Sequence, residues 1–387
     1  MRARRDYLLF VSAYLFCLTD ALLFGYSMFN AMPFADELSL LLRLCASSLI
    51  FAKLIFDRFY SRRLLLCLFF VGVILLVVYV KSAYSHIFYL LIICLGIRGA
   101  DCRKLISIDF RARMAVGIVI VVCGLTGVIE NYVTYRTDSE TLRYSMGFNH
   151  PNTFASLVLS LLIEDAWIRR RRATGLYTVV VWLLAGALYM ITSNRTAVLI
   201  MAAFPVILFL AAPASEKKRK KSGQFVSALA FPAASLISFL MMLLCRSSEL
   251  LAAVDGLLSN RFYNAAVVFS SYGIPLLGQR VTLVSVRAAR MTNSSVALLD
   301  VAYLRLLIQA GPLVLLLLVI LYGKAMGNAH AKGDGWTVLV MEIFMIFGMF
   351  ESGFNNVFLN FTLLFAAKEL FCINAERSKE VTLCFGK

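Results

Sequence analysis

Residues 64–80 read LLLCLFFVGVILLVVYV, seventeen positions in a row without a charge. As a helix rising 1.5 Å per residue, the run reaches about 26 Å, close to the roughly 30 Å of hydrocarbon in a bilayer. No water is available there to bond the backbone, so the run must satisfy its own amides as a helix. Comparable runs lie on either side, at 7–28, 38–56, 86–97, 114–130, 151–168, 174–192, 196–212, 224–244, 303–322, 336–350 and 357–373. Composition agrees: 61% of residues are hydrophobic, 16% are charged, and mean hydropathy is +0.82. A soluble domain carries about 25% charged residues. The pattern predicts an all-α, polytopic integral membrane protein of about twelve transmembrane helices, with 1–387 forming one membrane domain. The opening stretch, MRARRDYLLFVSAYLFCLTDALLF, has too long an apolar core for a signal peptide and no small-x-small site after it, so it reads as a retained first span.

The net charge of +16 would suggest nucleic acid in a soluble protein, but here the positive-inside rule accounts for it. With both termini in the cytosol, the inner segments hold 25 of the 38 Lys and Arg and the outer segments 9. RRRR at 169–172 and EKKRKK at 216–221 act as topology anchors. The nine Cys show neither a disulfide framework nor metal-ligand spacing and read as small core hydrophobes.

The inner loops are short. The outer side has a medium segment, 131–150, and one long loop, 245–302, well above the usual loop length. The long loop is expected to fold. SSELLAAVDGLL and RFYNAAVVFSSYG carry helical apolar spacing, and Ser259-Asn260 is placed to cap a helix before Arg261.

Ionisable residues inside a membrane are costly. Several have structural explanations in the sequence. Asp20 can pair with Arg43, Glu342 with Lys368, and Glu164 and Asp165 with the basic run at 169–172; Lys53 can snorkel to the cytosolic edge. The outer-face residues are less easily absorbed. YSMGFNHPNTFA at 144–155 puts Asn149, His150 and Asn152 at the mouth of the sixth span; Asn149 or Thr153 could cap that helix, with Pro151 in its first turn. The other two His are His86, at the start of a span, and His330, in an inner loop. Arg195 sits in a very short outer turn, where the charge rule disfavours it, and Arg261 lies in the long loop, with Arg280 and Arg143 in reserve. Guanidinium binds phosphate oxygens through paired hydrogen bonds, so these arginines point to an anionic ligand at the outer face. Asp300 precedes the tenth span, with Tyr303 one turn later, and reads either as an acidic helix start or as a functional carboxylate.

Five stretches together resemble bacterial surface-polysaccharide repeat-unit polymerases, the Wzy type within the O-antigen ligase/polymerase superfamily. They are GFNHPNTFA at 147–155, TSNRTAVL at 192–199, SNRFYNA at 259–265 with YGIPLLGQ at 272–279, LDVAYLRLLIQAG at 299–311 and ESGFNNVFLNFTLL at 351–364. Their order matches, and the resemblance covers about residue 140 to the end, the first 130 residues fitting only in span pattern. Relatives often have Asn after the Asp before the tenth span; Val301 stands here, which argues against the ligase branch and leaves the role of Asp300 open.

The resemblance implies a glycosyltransferase of the bacterial cytoplasmic membrane, independent of metals and other cofactors. It would join undecaprenyl-pyrophosphate-linked oligosaccharide units at the outer face. Donor and acceptor would both be lipid-linked, with a flippase and a chain-length regulator as possible partners and no role for nucleic acid. Arg195 and Arg261 would hold the leaving pyrophosphate, His150 or Asp300 would take the acceptor proton, and Asn149, Asn152 and Tyr303 would bind sugar or phosphate. Competing readings are a flippase or other transporter, expected to use charged residues along a midplane path and to show internal repeats with broken helices, a ligase sharing the same donor, and a non-enzymatic assembly protein.

Overall fold

The computed structural model describes residues 2–56, 61–135, 141–170, 174–211, 221–284 and 296–372. Arg171, Arg172, most of the basic run at 216–221, Cys384 and the start of the 293–313 stretch lie outside them. The described chain is helical apart from one short hairpin. It begins with α1 (Arg2–Thr19), whose last turn widens into a π-turn at Asp20–Gly25, followed by α2 (Ala35–Phe56), α3 (Arg62–Ser82), α4 (Ser85–Gly96) and α5 (Cys102–Leu125). The hairpin is β1 (Val133–Tyr135) and β2 (Leu142–Tyr144), antiparallel, with Thr134 opposite Arg143. Then come α6 (Pro151–Arg169), α7 (Gly175–Thr192), α8 (Arg195–Ala211), α9 (Lys221–Leu244), α10 (Glu249–Leu257) and α11 (Arg261–Tyr272). The chain finishes with α12 (Ala302–Arg305), α13 (Pro312–Ala331), α14 (Gly335–Gly348) and α15 (Leu363–Cys372).

Six of these are long and apolar enough to cross a membrane: α1 with its π-turn, α2, α3, α7, α9 and α13. Helix α3 shows what the outside of the bundle is made of. Leu68, Val71, Leu75 and Val78 face inward, while Phe69, Phe70 and Val80 are more than 60% exposed. Such a face has no place in water and fits hydrocarbon. The described chain is thus an α-helical membrane protein.

The remaining expected spans are different objects. Helix α4 has 12 residues and α14 has 14, about 18 and 21 Å of helix. Helix α4 is apolar on all sides and buried, as a central helix should be. Helices α5 and α6 are long enough but bury Asp109, Arg113 and Glu164. The span expected at 303–322 is broken. Helix α12 runs into a π-turn at Leu306–Ala310, and the long helix starts only at Pro312. The break is enforced at Gly311, where φ is +89° and an added Cβ would stand 2.6 Å from the Leu276 carbonyl oxygen. Gly278 meets the break from the other side, its own missing Cβ leaving room for the Gln309 carbonyl at 2.6 Å. The expected last span, 357–373, holds α15 only from Leu363; a 3₁₀ turn at Ser352–Asn355 and further turns precede it.

Buried polar networks tie the helices together. Asp20 is fully buried in the π-turn and accepts from Ser39 Oγ (2.6 Å), Arg43 Nε (2.7 Å) and Tyr89 Oη (2.8 Å), which includes the pairing expected from the sequence. Arg113 binds Asp109 at 2.7 Å, Glu164, Ser160 Oγ at 2.7 Å and the Phe358 carbonyl at 3.2 Å, while Tyr14 donates to Asp109 at 2.7 Å. Glu164 therefore does not join the basic run at 169–172; Asp165 does, through Arg169 at 2.6 Å. Arg170 holds Asp334 at 3.0 Å. Lys53 does not snorkel either. It is 1% exposed and donates to the carbonyls of Gly96 and Arg98, the unpaired acceptors at the C-terminus of α4. Lys368 Nζ donates to the Ala100 carbonyl at 3.1 Å. His330 lies within α13 rather than in a loop, bonded to Ser227 Oγ at 3.2 Å.

Candidate functional site

The stretch 145–150 is threaded between the first connection of the chain and the hairpin. Met28 N bonds the Gly147 carbonyl and Asn149 N bonds the Tyr26 carbonyl, both at 2.9 Å, while Met146 N bonds Asn131 Oδ1. Gly147 has φ +82°, and a Cβ there would stand 2.6 Å from the Ile120 carbonyl oxygen, so the loop can lie flat on α5 only as glycine. This threading delivers His150 to the N-cap of α6. Its Nδ1 accepts from Asn152 N at 3.1 Å, with Pro151 in the first turn. His150 performs the capping expected of Asn149 or Thr153. Those two instead bond each other, Thr153 Oγ1 donating to Asn149 Oδ1 at 3.1 Å.

Three further caps set the other walls. Ser193 ends α7 in the left-handed region, and Asn194 Oδ1 then caps α8 through Ala197 N at 2.9 Å, so Arg195 opens that helix. Thr134 and Arg143 are paired across the hairpin; Arg143 Nε donates to the Thr192 carbonyl at 2.7 Å and Nη2 to Asn152 Oδ1. Asp255, 1% exposed on α10, reaches the first amides of α11, accepting from Phe262 N (3.0 Å) and Tyr263 N (2.7 Å). Asn260 holds the N-cap position in the left-handed region but makes no side-chain cap, so Asp255 performs the role expected of Ser259-Asn260. A carboxylate against a helix N-terminus is stabilised by the helix dipole, and it fixes where Arg261 begins α11.

These ends enclose a cleft of about 750 Å³. Of the expected residues, Arg143, His150, Asn152, Arg195, Arg261 and Asp300 line it. Three do not. Asn149 turns away to donate to the Gly25 carbonyl at 3.1 Å. Tyr303 is 1% exposed in the core, its hydroxyl bonded to the Met345 carbonyl at 2.6 Å. Arg280 is exposed outside the cleft lining.

Two residues not singled out from the sequence complete the picture. Glu351, 6% exposed, accepts from Arg261 Nη2 at 3.0 Å, so Arg261 is ion-paired rather than free. Burial pushes the Glu351 carboxyl above the usual carboxylate range, against the Arg261 charge that favours ionisation. Asn194 is the other. Its Nδ2 and Arg261 Nη1 are buried donors with no hydrogen-bond partner among the described residues, and both side chains line the cleft. Each was within a quoted motif, as the Asn of TSNRTA and the Glu of ESGFNN. The signal for each is a polar side chain beside a helix end.

His150 lines the cleft and is exposed within it, with protein packed on the sides of the cleft. Burial, reinforced by the neighbouring Arg143 charge and Arg261, pushes its pKa down to about 4, with Asp300 acting in the opposite direction. Because Nδ1 accepts the Asn152 amide, the neutral ring carries its hydrogen on Nε2. His150 is therefore set up to donate, not to take a proton. Among the cleft residues named from the sequence, Asp300 is left as the base by type.

The cleft also has an apolar side. Leu199, Leu257 and Ile346 line it and are 68%, 81% and 48% exposed. Three arginines, a neutral imidazole and Asn194, two of these side chains carrying an unmet buried donor, thus line the same space as side chains suited to hydrocarbon. No family model, curated protein or solved structure matches the chain.

Proposed function

We propose that the protein is a repeat-unit polymerase of surface polysaccharide, acting on undecaprenyl-pyrophosphate-linked oligosaccharides at the outer face of a bacterial cytoplasmic membrane. The observation that carries the reading is the pairing of a guanidinium and an amide, each with an unmet donor, with an apolar side in one cleft. Native proteins leave few buried donors unpartnered, so Arg261 Nη1 and Asn194 Nδ2 are suited to an oxyanion that enters. A pyrophosphate head with a hydrocarbon tail meets both halves of the lining.

In the reaction, an acceptor hydroxyl oxygen attacks the donor's anomeric carbon. The bond from that carbon to the pyrophosphate oxygen breaks, and its electron pair leaves with the lipid pyrophosphate. Asp300 receives the hydroxyl proton. Arg261, Arg195 and Asn194 stabilise the negative charge growing on the leaving oxygen, the role for which preorganised donors are most effective. His150 donates through Nε2–H, and Asn152, held by Arg143, orients sugar hydroxyls.

The test is the glycan profile of a strain lacking the gene, resolved by size and by lipid extraction. Loss of long polymer with accumulation of single lipid-linked units is the expected result. Long polymer retained on lipid but missing from its final acceptor would make the protein a ligase. Units trapped on the cytosolic side would make it a flippase.

A further inference from the structure

Among the described residues, Arg305 holds no carboxylate. It ends α12 just before the helix break, with Nε donating to Gln309 Oε1 at 3.1 Å, Nη1 to Ser352 Oγ at 3.2 Å, and its guanidinium 4.8 Å above the Tyr84 ring. All three partners are neutral, and Nη2 makes no hydrogen bond among the described residues. Arg43, Arg113, Arg170 and Arg261, by contrast, each hold an acid.

The surroundings of Arg305 are also unfinished. Tyr26 Oη and His86 Nε2 share a hydrogen bond of 2.9 Å, leaving His86 Nδ1 buried and unpartnered. The His86 ring lies 4.5 Å from that of Tyr84. Asn355 donates to the Ala302 carbonyl at 3.0 Å, but its Oδ1 is unmet; neighbouring Asn356 is fully buried with Nδ2 unmet. Among the described residues, Arg305 is thus a cation with only neutral partners, and His86 beside the same Tyr84 ring carries a buried nitrogen with none, a combination that folding alone does not explain. A guanidinium on an aromatic face, with one nitrogen left over, suits a planar pair of oxygens.

We infer that Arg305, with Tyr84, His86 and Asn356, forms a second oxyanion site, separate from the Arg261 cleft. The two are neighbours through consecutive residues, since Glu351 holds Arg261 and Ser352 holds Arg305. The ligand is a phosphate or carboxylate group; the first would come from a lipid-linked phosphate, the second from an acidic sugar. The inference does not depend on the polymerase reading.

Calorimetric titration of the purified full chain in detergent tests it, with inorganic pyrophosphate in one arm and glucuronate in the other. Wild type is expected to show two binding events. Arg305→Gln should weaken one of them at least tenfold, and Arg305→Lys, which keeps the charge but not the fork, should weaken it less. The double variant Arg261→Gln with Glu351→Gln should remove only the other event. A pyrophosphate event that depends on Arg305 identifies a phosphate site, and a glucuronate event alone identifies a carboxylate site. Both events unchanged in Arg305→Gln, or no event in either arm that survives the cleft double variant, would overturn the second site. Should Arg305→Gln fail to fold, Asn356→Ala replaces it, with the same weakening expected. If only the Arg305 event exists, the cleft reading falls while this inference stands.

Discussion

Arg113 and Arg261 are both arginines bound to a glutamate, yet they are different kinds of residue. Arg113 is fully enclosed between α5 and α6, with two carboxylates, a serine hydroxyl and a carbonyl around it. Its Nε also lacks a partner, but packed side chains close it off at 0% exposure. Arg261 has one carboxylate, and its unpartnered Nη1 belongs to a side chain on the wall of a cleft. A buried charge satisfied on all sides joins helices. A charge left partly unsatisfied beside open space is available to a ligand. Being ionisable within a membrane protein does not separate the two; the number of acids around the cation does.

That contrast can be broken most severely at Arg113. Arg113→Ala strands Asp109 and Glu164 without their counter-ion and should cost about 3–5 kcal/mol, enough to remove folded protein from the membrane. Arg113→Met combined with Asp109→Asn and Glu164→Gln should recover most of that loss, read as unfolding temperature in detergent. Failure of the triple variant to recover would mean that Arg113 does more than join helices.

At the cleft the sharper probe is Asn194→Asp. Aspartate keeps the oxygen that caps α8 and replaces the Nδ2 donor with a negatively charged oxygen, so stability should stay close to wild type while an oxyanion is repelled. Polymer yield should fall by roughly 10²-fold or more, as for loss of one donor to a developing oxyanion. Equal polymer in both strains would show that the unmet Nδ2 faces no ligand.

The smallest effect is expected at His150. Its folded pKa of about 4 lies below the ordinary value near 6.5, so between those values the unfolded chain binds more protons. Stability should fall as pH falls through that window and stay level above it. His150→Asn, which retains a capping oxygen, should flatten the dependence. Polymerisation should show no inflection between pH 6 and 8 attributable to this ring. An inflection near 6.5 that disappears in His150→Asn would restore it as a base.

The fold was legible where the sequence is simplest. Six of the long apolar runs became helices long enough to cross a bilayer, because hydrocarbon leaves a backbone no alternative. It was less legible where apolar runs carry other information. The 303–322 run gave no sign that Gly311 and Gly278 meet backbone to backbone, a contact between residues 33 apart in sequence. At the site, residue types picked out Arg195, Arg261 and His150, which line one cleft. They did not indicate Glu351, because its partner lies 90 residues away. The tautomer of His150 was equally hidden, since it is set by an amide hydrogen bond that only the cap geometry reveals.

The central claim is that Arg261 serves a ligand and not merely Glu351. Arg261→Gln together with Glu351→Gln removes the ion pair without leaving a buried charge behind, so folding should survive. The measurement is the polysaccharide size profile of a deletion strain carrying this double variant, with membrane levels of the protein checked alongside. The account predicts wild-type amounts of protein and no long polymer. Long polymer at wild-type length would contradict it, and Arg261 would then be a second structural arginine like Arg113.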